Sequence, residues 1–267
     1  MANERLFIPC LLPVLLIASA VRGAPENAGE PGKQQKRSYV HKADTGSSPR
    51  TLGYQLYLPA DYGKAEAKDK KWPVILFLHG AGERGDGKGD LDKVKLHGPP
   101  MLVEKKPNSP ATQFIVISPQ CPKQQRWDVE AVKGLLDEVV ANHKADRDRI
   151  YLTGLSLGGF ASWSMAAQYP DTFAAVAPIC GGGNTASADK IKALPIWVFH
   201  GDKDTAVPLQ KSQEMVDALK SAGAKQVEFT VYPGVGHDSW VKAYNDPKLY
   251  EWFLSHKRGG ASAKAGK

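Results

Sequence analysis

Short apolar segments alternate with amphipathic helical segments along most of this chain, and that alternation constrains its fold more than any other feature. The runs VILFL at 74–78, FIVI at 114–117 and IWVF at 196–199 are typical of strands buried on both faces of a sheet. Between such runs, a helical pattern at 128–143 places its apolar residues on one face. The alternation predicts an α/β protein with a mostly parallel, doubly wound sheet of about eight strands and helices on both faces.

The same patterns give the expected positions of the elements. Strands are expected at 38–42, 52–58, 74–78, 114–118, 150–153, 174–179, 196–199 and 227–232, and helices at 128–143, 157–168, 212–222 and 247–256. In a sheet of this kind, ligand sites lie beyond the carboxyl ends of the strands. The residues that directly follow each strand are therefore the first candidates for function.

Both ends of the chain differ from this central part. An uncharged apolar run at 6–20, interrupted by two prolines and ending in an A-x-A sequence, predicts a secretory signal peptide over 1–23 and hence export. Residues 24–37 and 257–267 contain almost no large apolar side chains, and they predict a flexible linker and a basic flexible tail around a folded domain at 38–256. An uncleaved anchor helix is the alternative for the amino terminus, although the run is short for a bilayer span.

The net charge of +7, from 35 Lys and Arg against 28 Asp and Glu, raises the question of an anionic partner. Residues 51–256 carry no net charge, however, so the excess lies towards the two ends. We therefore expect the folded domain to bind neither nucleic acid nor, after signal cleavage, a membrane. Three cysteines and no cluster of four Cys or His residues exclude a disulfide-stapled miniprotein and a structural zinc site.

The strongest chemical motif follows the expected strand at 150–153. The sequence GLSLG at 154–158 matches G-x-S-x-G around Ser156, with a strand before it and an apolar helix after it. In that context the motif predicts a nucleophile elbow, in which a strained strand-to-helix turn exposes the serine hydroxyl above the sheet. A glycine-rich phosphate-binding turn is the alternative, but the fuller G-x-G-x-x-G pattern is absent.

A serine hydroxyl becomes a good nucleophile when a base takes its proton and a carboxylate orients that base. After a nucleophile elbow, the partners follow in the chain order Asp or Glu, then His. Asp202 and Asp204 lie just after one expected strand, and His237 lies just after the next. We assign Ser156 as the nucleophile, His237 as the base and Asp204, in preference to Asp202, as the residue that orients the base.

The oxyanion of a tetrahedral intermediate needs backbone N–H donors. In an elbow of this kind, the residue after the nucleophile supplies one donor, here Leu157, and the loop after the strand at 74–78 supplies the second. That loop reads HGAGERG, and its glycines let the backbone approach a substrate. We assign Ala81 as the second donor, and Glu83 and Arg84 of the same loop as candidates for the wall of a substrate pocket.

Six motifs in order carry a family resemblance: HGAGERG, PQCP followed by Trp127, GLSLGG, PICGGG, HGDKDTAVP and GHDSW. Together they resemble the α/β-hydrolase superfamily over residues 38–256. More narrowly, they resemble bacterial "predicted peptidase", dienelactone-hydrolase-like or feruloyl-esterase-like carboxylesterases. The resemblance implies the α/β-hydrolase fold, and its H-G-x-x-D pattern places the acid on Asp204. Dienelactone hydrolases proper use a cysteine nucleophile, so Ser156 departs from them and favours ordinary ester hydrolysis.

Other residues near strand ends allow two interpretations each. Cys121 and Cys180 each follow an expected strand, and in an exported protein they are candidates for a disulfide, with buried free thiols as the alternative. Trp127 and Trp240 are candidates for pocket walls, with ordinary core packing as the alternative. The segment 85–113 is either a lid over the site or a plain surface excursion.

These features predict a secreted serine carboxylesterase that works through an acyl-enzyme and needs no cofactor or metal. Its substrate would be a small-molecule or polysaccharide-linked ester, such as a feruloyl or acetyl ester of plant polysaccharide or a short-chain ester. Two alternatives stay open, a serine peptidase of the same fold and a non-catalytic binding protein with a hydrolase fold. The complete set of triad residues argues against the second, and the lack of a gating domain within the sequence argues against the first.

Overall fold

A computed structural model of the chain describes residues 29–42 and 49–259. The expected signal peptide and most of the expected basic tail lie outside the described residues. Among the helices of the described ranges, none is both long and apolar enough to cross a membrane.

The described residues form an eight-stranded sheet, which confirms the predicted fold class. Its strands are β1 (Gln34–His41), β2 (Arg50–Tyr57), β3 (Trp72–Leu78), β4 (Ile115–Pro119), β5 (Ala145–Leu155), β6 (Ala175–Ile179), β7 (Ile196–Gly201) and β8 (Val227–Tyr232). They lie in the order β1-β2-β4-β3-β5-β6-β7-β8. The pairs β1–β2 and β2–β4 are antiparallel, and every pair from β4 to β8 is parallel.

Helices cover both faces of the sheet. They are α1 (Gly98–Lys105), α2 (Val129–Asn142), α3 (Leu157–Gln168), α4 (Ala188–Ile191), α5 (Gln210–Ser221), α6 (Trp240–Asn245) and α7 (Pro247–Leu254). The buried side chains of α2 to α5 share one core layer, and those of α1, α6 and α7 share a second layer. Helices on opposite faces are the expected result of parallel strands joined by crossovers.

The folded body extends beyond both predicted limits. The edge strand β1 begins at Gln34, inside the predicted linker, because backbone pairing with β2 along its whole length defines it rather than an apolar run. At the other end, Arg258 in the predicted tail donates hydrogen bonds to the carboxylate of Asp148 and to the carbonyl oxygen of Asp171.

The segment 85–113, which the sequence left open as a lid or a surface excursion, belongs to the folded body. It contains short 3₁₀ turns and helix α1, which the sequence analysis did not predict. The side chains of Leu91, Val94, Leu102 and Val103 in this segment are buried. Helix α1 joins the same core layer as α6 and α7, so the apolar residues of the segment anchor it to the sheet.

Helix α3 lies close against the end of β3 because Gly158, in its first turn, has no side chain. A Cβ atom at Gly158 would lie 1.9 Å from the carbonyl oxygen of Leu78 and 2.8 Å from that of His79. No side chain fits in that space without a shift of the backbone. The glycine therefore fixes the start of α3, and with it Ser156, against the carboxyl edge of the sheet.

We expect Gly158→Ala to lower the free energy of unfolding by about 3 kcal/mol, because the new methyl group overlaps a backbone carbonyl. Helix propensity alone would favour alanine by about 1 kcal/mol. A decrease in the free energy of unfolding would therefore come from the overlap with the carbonyl and not from helix propensity. A thermal melt should show a fall in Tm of roughly 6–12 °C. Gly89→Ala is the control, since its new Cβ would meet only Asp86 Oδ2 at 3.7 Å. Equal Tm values for the two variants would contradict the packing described for α3.

Candidate active site

Ser156 lies between β5 and α3, at the carboxyl edge of the sheet. Its backbone has φ 51° and ψ −114°, a conformation that residues with a side chain rarely adopt. Two backbone hydrogen bonds hold it: Ser156 N–H donates to Ile179 O over 3.0 Å, and Phe160 N–H donates to Ser156 O over 3.0 Å. Backbone strain held in this way is typical of a functional site.

The structure brings the three predicted triad residues together. Nε2 of His237 lies 2.9 Å from Oγ of Ser156, and Nδ1 of His237 lies 2.7 Å from Oδ2 of Asp204. Both separations are hydrogen-bond distances. The side chain of His237 is 28% exposed, whereas that of Asp204 is fully buried. This arrangement allows the imidazole to take a proton from the hydroxyl while the carboxylate holds the ring in place.

Hydrogen-bond donors surround the carboxylate of Asp204. The N–H groups of Ala206 and Val207 donate to Oδ1 over 2.9 and 2.8 Å, and His237 Nδ1–H donates to Oδ2. Burial by itself raises the pKa of Asp204, but the hydrogen bonds from His237 and the backbone outweigh it and keep the pKa below its usual value. The carboxylate is therefore ionised at neutral pH, as an orienting group requires.

A cleft of about 450 Å³ opens beside Ser156. Both predicted oxyanion donors line it: Ala81 lies in the loop after β3, and Leu157 is the first residue of α3. The first N–H groups of a helix have no acceptor within the helix, so the N–H of Leu157 is suited to a substrate oxygen. The other lining residues are Arg84, Gln124, Gln125, Arg126 and Phe160.

His79 fixes the peptide unit that carries the N–H of Ala81. Its Nδ1–H donates to the carbonyl oxygen of Gly80 over 2.6 Å, and its Nε2 accepts the N–H of Cys121 over 3.0 Å. In a trans peptide the N–H points away from the carbonyl, so the N–H of Ala81 is directed away from the His79 ring. Burial is the main reason that the pKa of His79 falls to about 4, so the ring is neutral at pH 7, as this tautomer requires.

The two predicted pocket tryptophans lie in different environments. Trp127 is buried in the core, where its Nε1–H donates to the carbonyl oxygen of His79 over 3.2 Å and its ring lies 4.7 Å from the His79 ring. Core packing is thus the correct interpretation for Trp127. It contacts His79 at the start of the loop at 79–85, which we call the oxyanion loop. Trp240 packs edge-on against His237, with 5.2 Å between ring centroids, and so it borders the triad.

Glu83 does not line the cleft, contrary to prediction. Its side chain is buried, and its carboxylate oxygens lie 3.6 Å from Nε2 of His97 and 3.9 Å from Nδ1 of His79. The backbone of the short 3₁₀ turn after β3 directs this side chain inwards, behind the oxyanion loop. His97, which the sequence analysis did not assign to the site, comes from the segment 85–113 and also contacts Trp240, with 5.5 Å between ring centroids.

Arg84 does line the cleft. Its guanidinium donates to the carbonyl oxygens of Ala81 and Gln125 over 3.0 and 3.2 Å, which ties the oxyanion loop to the turn at 124–126. The turn at 124–126 and Phe160 were not predicted as cleft residues. The turn follows soon after the end of β4, and ligand sites in such sheets lie beyond the carboxyl ends of the strands. Its position in the sequence could therefore have indicated it. For Phe160 the signal was its position in the first turn after the nucleophile.

Cys121 and Cys180 are buried free thiols, so the second of the two interpretations left open by the sequence holds and the candidate disulfide does not form. Cys121 belongs to the core layer of α2 to α5, and Cys180 belongs to the layer on the opposite face of the sheet. Side chains that point to opposite faces cannot be bridged without movement of the backbone. Burial raises the pKa of Cys121 to about 11 and that of Cys180 to about 12, so both thiols stay protonated at neutral pH.

Cys180 also lies near the triad. Among the described residues, Cys180, Asp204 and His237 form a group whose potential metal-ligand atoms all lie within 4.8 Å of one another. A metal would need the thiolate of Cys180, whose pKa is raised by burial. It would also compete with the hydrogen bond between the other two residues. The triad accounts for this cluster without a metal.

Several known proteins are similar to this chain. A 52% identical match over 52 residues, 20% of this chain and 13% of the relative, links it to poly(3-hydroxyalkanoate) depolymerase C of Paucimonas lemoignei. Carboxylesterase SOBER1 of Arabidopsis thaliana is 26% identical over 204 residues, which are 63% of this chain and 89% of that protein. The solved structure of a thermostable esterase matches with a TM-score of 0.67 and 30% identity, over 84% of this chain and 63% of that one.

The sheet topology, the elbow and the structural match define an α/β-hydrolase fold. Within that class, the model of the dienelactone hydrolase family matches residues 51–249. The chain belongs to the dienelactone hydrolase family. The resemblance drawn from the sequence motifs is thereby confirmed at the level of the family.

The low pKa of His79 makes folding sensitive to pH. The folded state binds a proton at this ring only near pH 4, whereas the unfolded chain binds it near pH 6.5, so the unfolded state holds more protons between these values. The free energy of unfolding should therefore fall as the pH drops from 7 to 4, by roughly 3 kcal/mol from this residue.

Urea denaturation at pH 7 and pH 4.5 measures this contribution. The His79→Asn variant is the comparison, because its amide can donate to the Gly80 carbonyl but does not titrate. We expect a smaller loss of unfolding free energy on acidification in this variant than in the wild type. The same loss in both proteins would contradict a buried neutral His79.

Proposed function

We propose that this protein is a serine carboxylesterase that hydrolyses small-molecule or polysaccharide-linked esters through an acyl-enzyme. The observation that carries the proposal is the hydrogen-bonded row from Ser156 through His237 to Asp204, with separations of 2.9 and 2.7 Å. It lies beside a cleft that Ala81 and Leu157 line. Nucleophile, base, orienting acid and oxyanion donors are the parts that acyl transfer from an ester requires.

In the proposed reaction, Oγ of Ser156 bonds to the acyl carbon while its proton passes to Nε2 of His237. The carbonyl oxygen becomes an oxyanion that accepts hydrogen bonds from the N–H groups of Ala81 and Leu157. His237 then gives its proton to the alcohol oxygen as the ester C–O bond breaks, and the acyl group stays on Ser156. Water adds to the acyl carbon by the same route, the proton returns to Ser156 through His237, and the carboxylic acid leaves.

The shape of the cleft supports a small acyl group. Its volume of about 450 Å³ lies within the usual range of small-molecule sites. Phe160 on its wall is 37% exposed and offers an aromatic face, while Arg84 and Arg126 offer N–H donors. We propose a feruloyl or acetyl ester of plant polysaccharide, or a short-chain ester, as substrate. The apolar run at 6–20 supports the further proposal that the enzyme is exported.

We expect Asp204→Asn to lower kcat by on the order of 10³- to 10⁴-fold. The amide oxygen would take the position of Oδ1, which accepts the N–H groups of Ala206 and Val207, and the amino group would then face His237 Nδ1. That contact favours the tautomer with hydrogen on Nε2, which cannot accept the proton of Ser156.

Asp202→Asn is the matched control for this variant. Asp202 Oδ1 accepts the N–H of Gly234 over 2.7 Å and does not contact the triad, and an asparagine oxygen can accept the same bond. Its kcat/KM should stay within about threefold of wild type. Steady-state kinetics with 4-nitrophenyl acetate measures both variants. A larger loss for Asp202→Asn than for Asp204→Asn would mean that the wrong carboxylate is assigned.

Parallel assays on 4-nitrophenyl acetate and 4-nitroacetanilide should separate an esterase from a peptidase, because the two substrates share an acyl group and differ in the scissile bond. We expect turnover of the ester and no measurable turnover of the amide. Ser156→Ala should abolish ester turnover and labelling by a fluorophosphonate. Comparable turnover of amide and ester would favour a peptidase. Labelling that survives in Ser156→Ala, or no labelling of the wild type, would favour a non-catalytic protein.

A further inference from the structure

His200, near the end of β7, is a fully buried histidine that the proposed reaction does not use. Its Nε2 lies 2.9 Å from the carbonyl oxygen of Val207 and 3.1 Å from Oδ2 of Asp204. Neither a carbonyl nor a carboxylate oxygen can donate a hydrogen. Nε2 of His200 therefore carries a hydrogen and donates it to Val207, with its electropositive edge beside the triad carboxylate.

The other side of the His200 ring is also fixed. Nδ1 lies 2.7 Å from Oγ of Ser212, a fully buried residue of α5. That hydroxyl lies 2.9 Å from the carbonyl oxygen of Gly181, in the segment after β6. The ring thus contacts the turn after β7 and Ser212 of α5, and Ser212 in turn lies beside the segment after β6. Because His200 and Ser212 are both buried, water does not compete for these contacts.

We infer that His200 is a positioning residue for Asp204. The carbonyl of Val207, which His200 holds, belongs to the same turn whose N–H groups hold Oδ1 of Asp204. With that turn fixed, Oδ2 can face Nδ1 of His237 at 2.7 Å. The hydrogen bonds that hold the turn of Asp204 therefore continue from the carbonyl of Val207 through His200 to Ser212 in the core. A role of His200 in catalysis rests on the proposed function, whereas the alignment of Asp204 with His237 is a property of the fold.

Two substitutions of His200 separate the effect of its hydrogen bond from the effect of losing the volume of its ring. His200→Leu removes the donor, whereas His200→Gln places an amide N–H within reach of the Val207 carbonyl. We expect His200→Leu to lower kcat/KM for 4-nitrophenyl acetate by about 30- to 100-fold, mainly through kcat, and His200→Gln to recover most of it. The pH dependence of kcat/KM should differ from that of the wild type in His200→Leu and not in His200→Gln, because only the first variant releases the turn that aligns Asp204 with His237.

A spectroscopic measurement tests the alignment without any substrate. The hydrogen between His237 Nδ1 and Asp204 should give a downfield proton NMR resonance in the wild type, assigned by its loss in His237→Gln. We expect this resonance to persist in His200→Gln and to vanish in His200→Leu. If the wild type hydrolyses no ester, the proposed function fails, and the resonance still decides whether His200 positions Asp204.

His143→Leu is the matched control. His143 also has its Nδ1 within hydrogen-bond distance of a backbone carbonyl, that of Val139 at 3.0 Å, but it lies at the end of α2 away from the triad. Its variant should keep the resonance and the pH profile. If His200→Leu does not fold, Ser212→Ala provides the test, with an expected loss of about three- to tenfold in the same direction. A folded His200→Leu with wild-type resonance and pH profile, or a Ser212→Ala variant without any effect, would overturn the inference.

Discussion

The register of the parallel strands decides where every group of the active site lies. The hydrogen-bond ladder pairs Leu78 of β3 with Gly154 of β5, and Leu155 of β5 with Ile179 of β6. Strands in this register end at one edge of the sheet, so the residues that follow them leave the sheet side by side. A shift of any one strand by a single residue would turn its side chains to the other face and separate the groups. The segments that this edge brings together carry His79, Ser156, Cys180, Asp204 and His237.

The strand register alone does not fix the position of Ser156. The turn that carries this residue has an unfavourable backbone conformation, which other contacts must hold. The positive φ of Ser156 is unfavourable for a residue with a side chain, so the surrounding contacts must hold it. The hydrogen bond to Ile179 and the close approach of α3 at Gly158 provide that restraint. On the other sides of the site, His79 holds the loop after β3, and His200 holds the turn at 204–207 that carries Asp204. The position of the Ser156 hydroxyl therefore depends on several buried groups that take no part in the proposed reaction.

The sequence was sufficient to predict the sheet and to select the three residues that the structure brings together, because both follow from local patterns. Runs of large apolar residues mark buried strands, and G-x-S-x-G marks a turn that few other sequences can form. Strand β1 was placed too late in the chain because an edge strand needs backbone partners rather than apolar side chains. Helix α1 was missed because its first turn contains two prolines, which read as a loop.

The direction of individual side chains after the strand ends could not be predicted, since it depends on the path of the backbone beyond each strand. Cys121 follows β4 and Cys180 follows β6 at the same edge of the sheet, yet they point to opposite core layers. Glu83 and Arg84 are adjacent in sequence, yet one is buried behind the oxyanion loop and the other lines the cleft. Such differences arise from tertiary packing, which a motif does not record.

In the proposed reaction, the hydroxyl of Ser156 forms a covalent bond to the acyl group during turnover. Rapid mixing of the enzyme with excess 4-nitrophenyl acetate, followed by an acid quench and peptide mass spectrometry, measures this bond directly. We expect a burst of nitrophenolate close to one equivalent per enzyme, with one acetyl group on the peptide that contains Ser156. Steady turnover with no acetylated peptide and no burst, under conditions where deacylation is slow, would contradict it. So would an acetyl group on a residue other than Ser156.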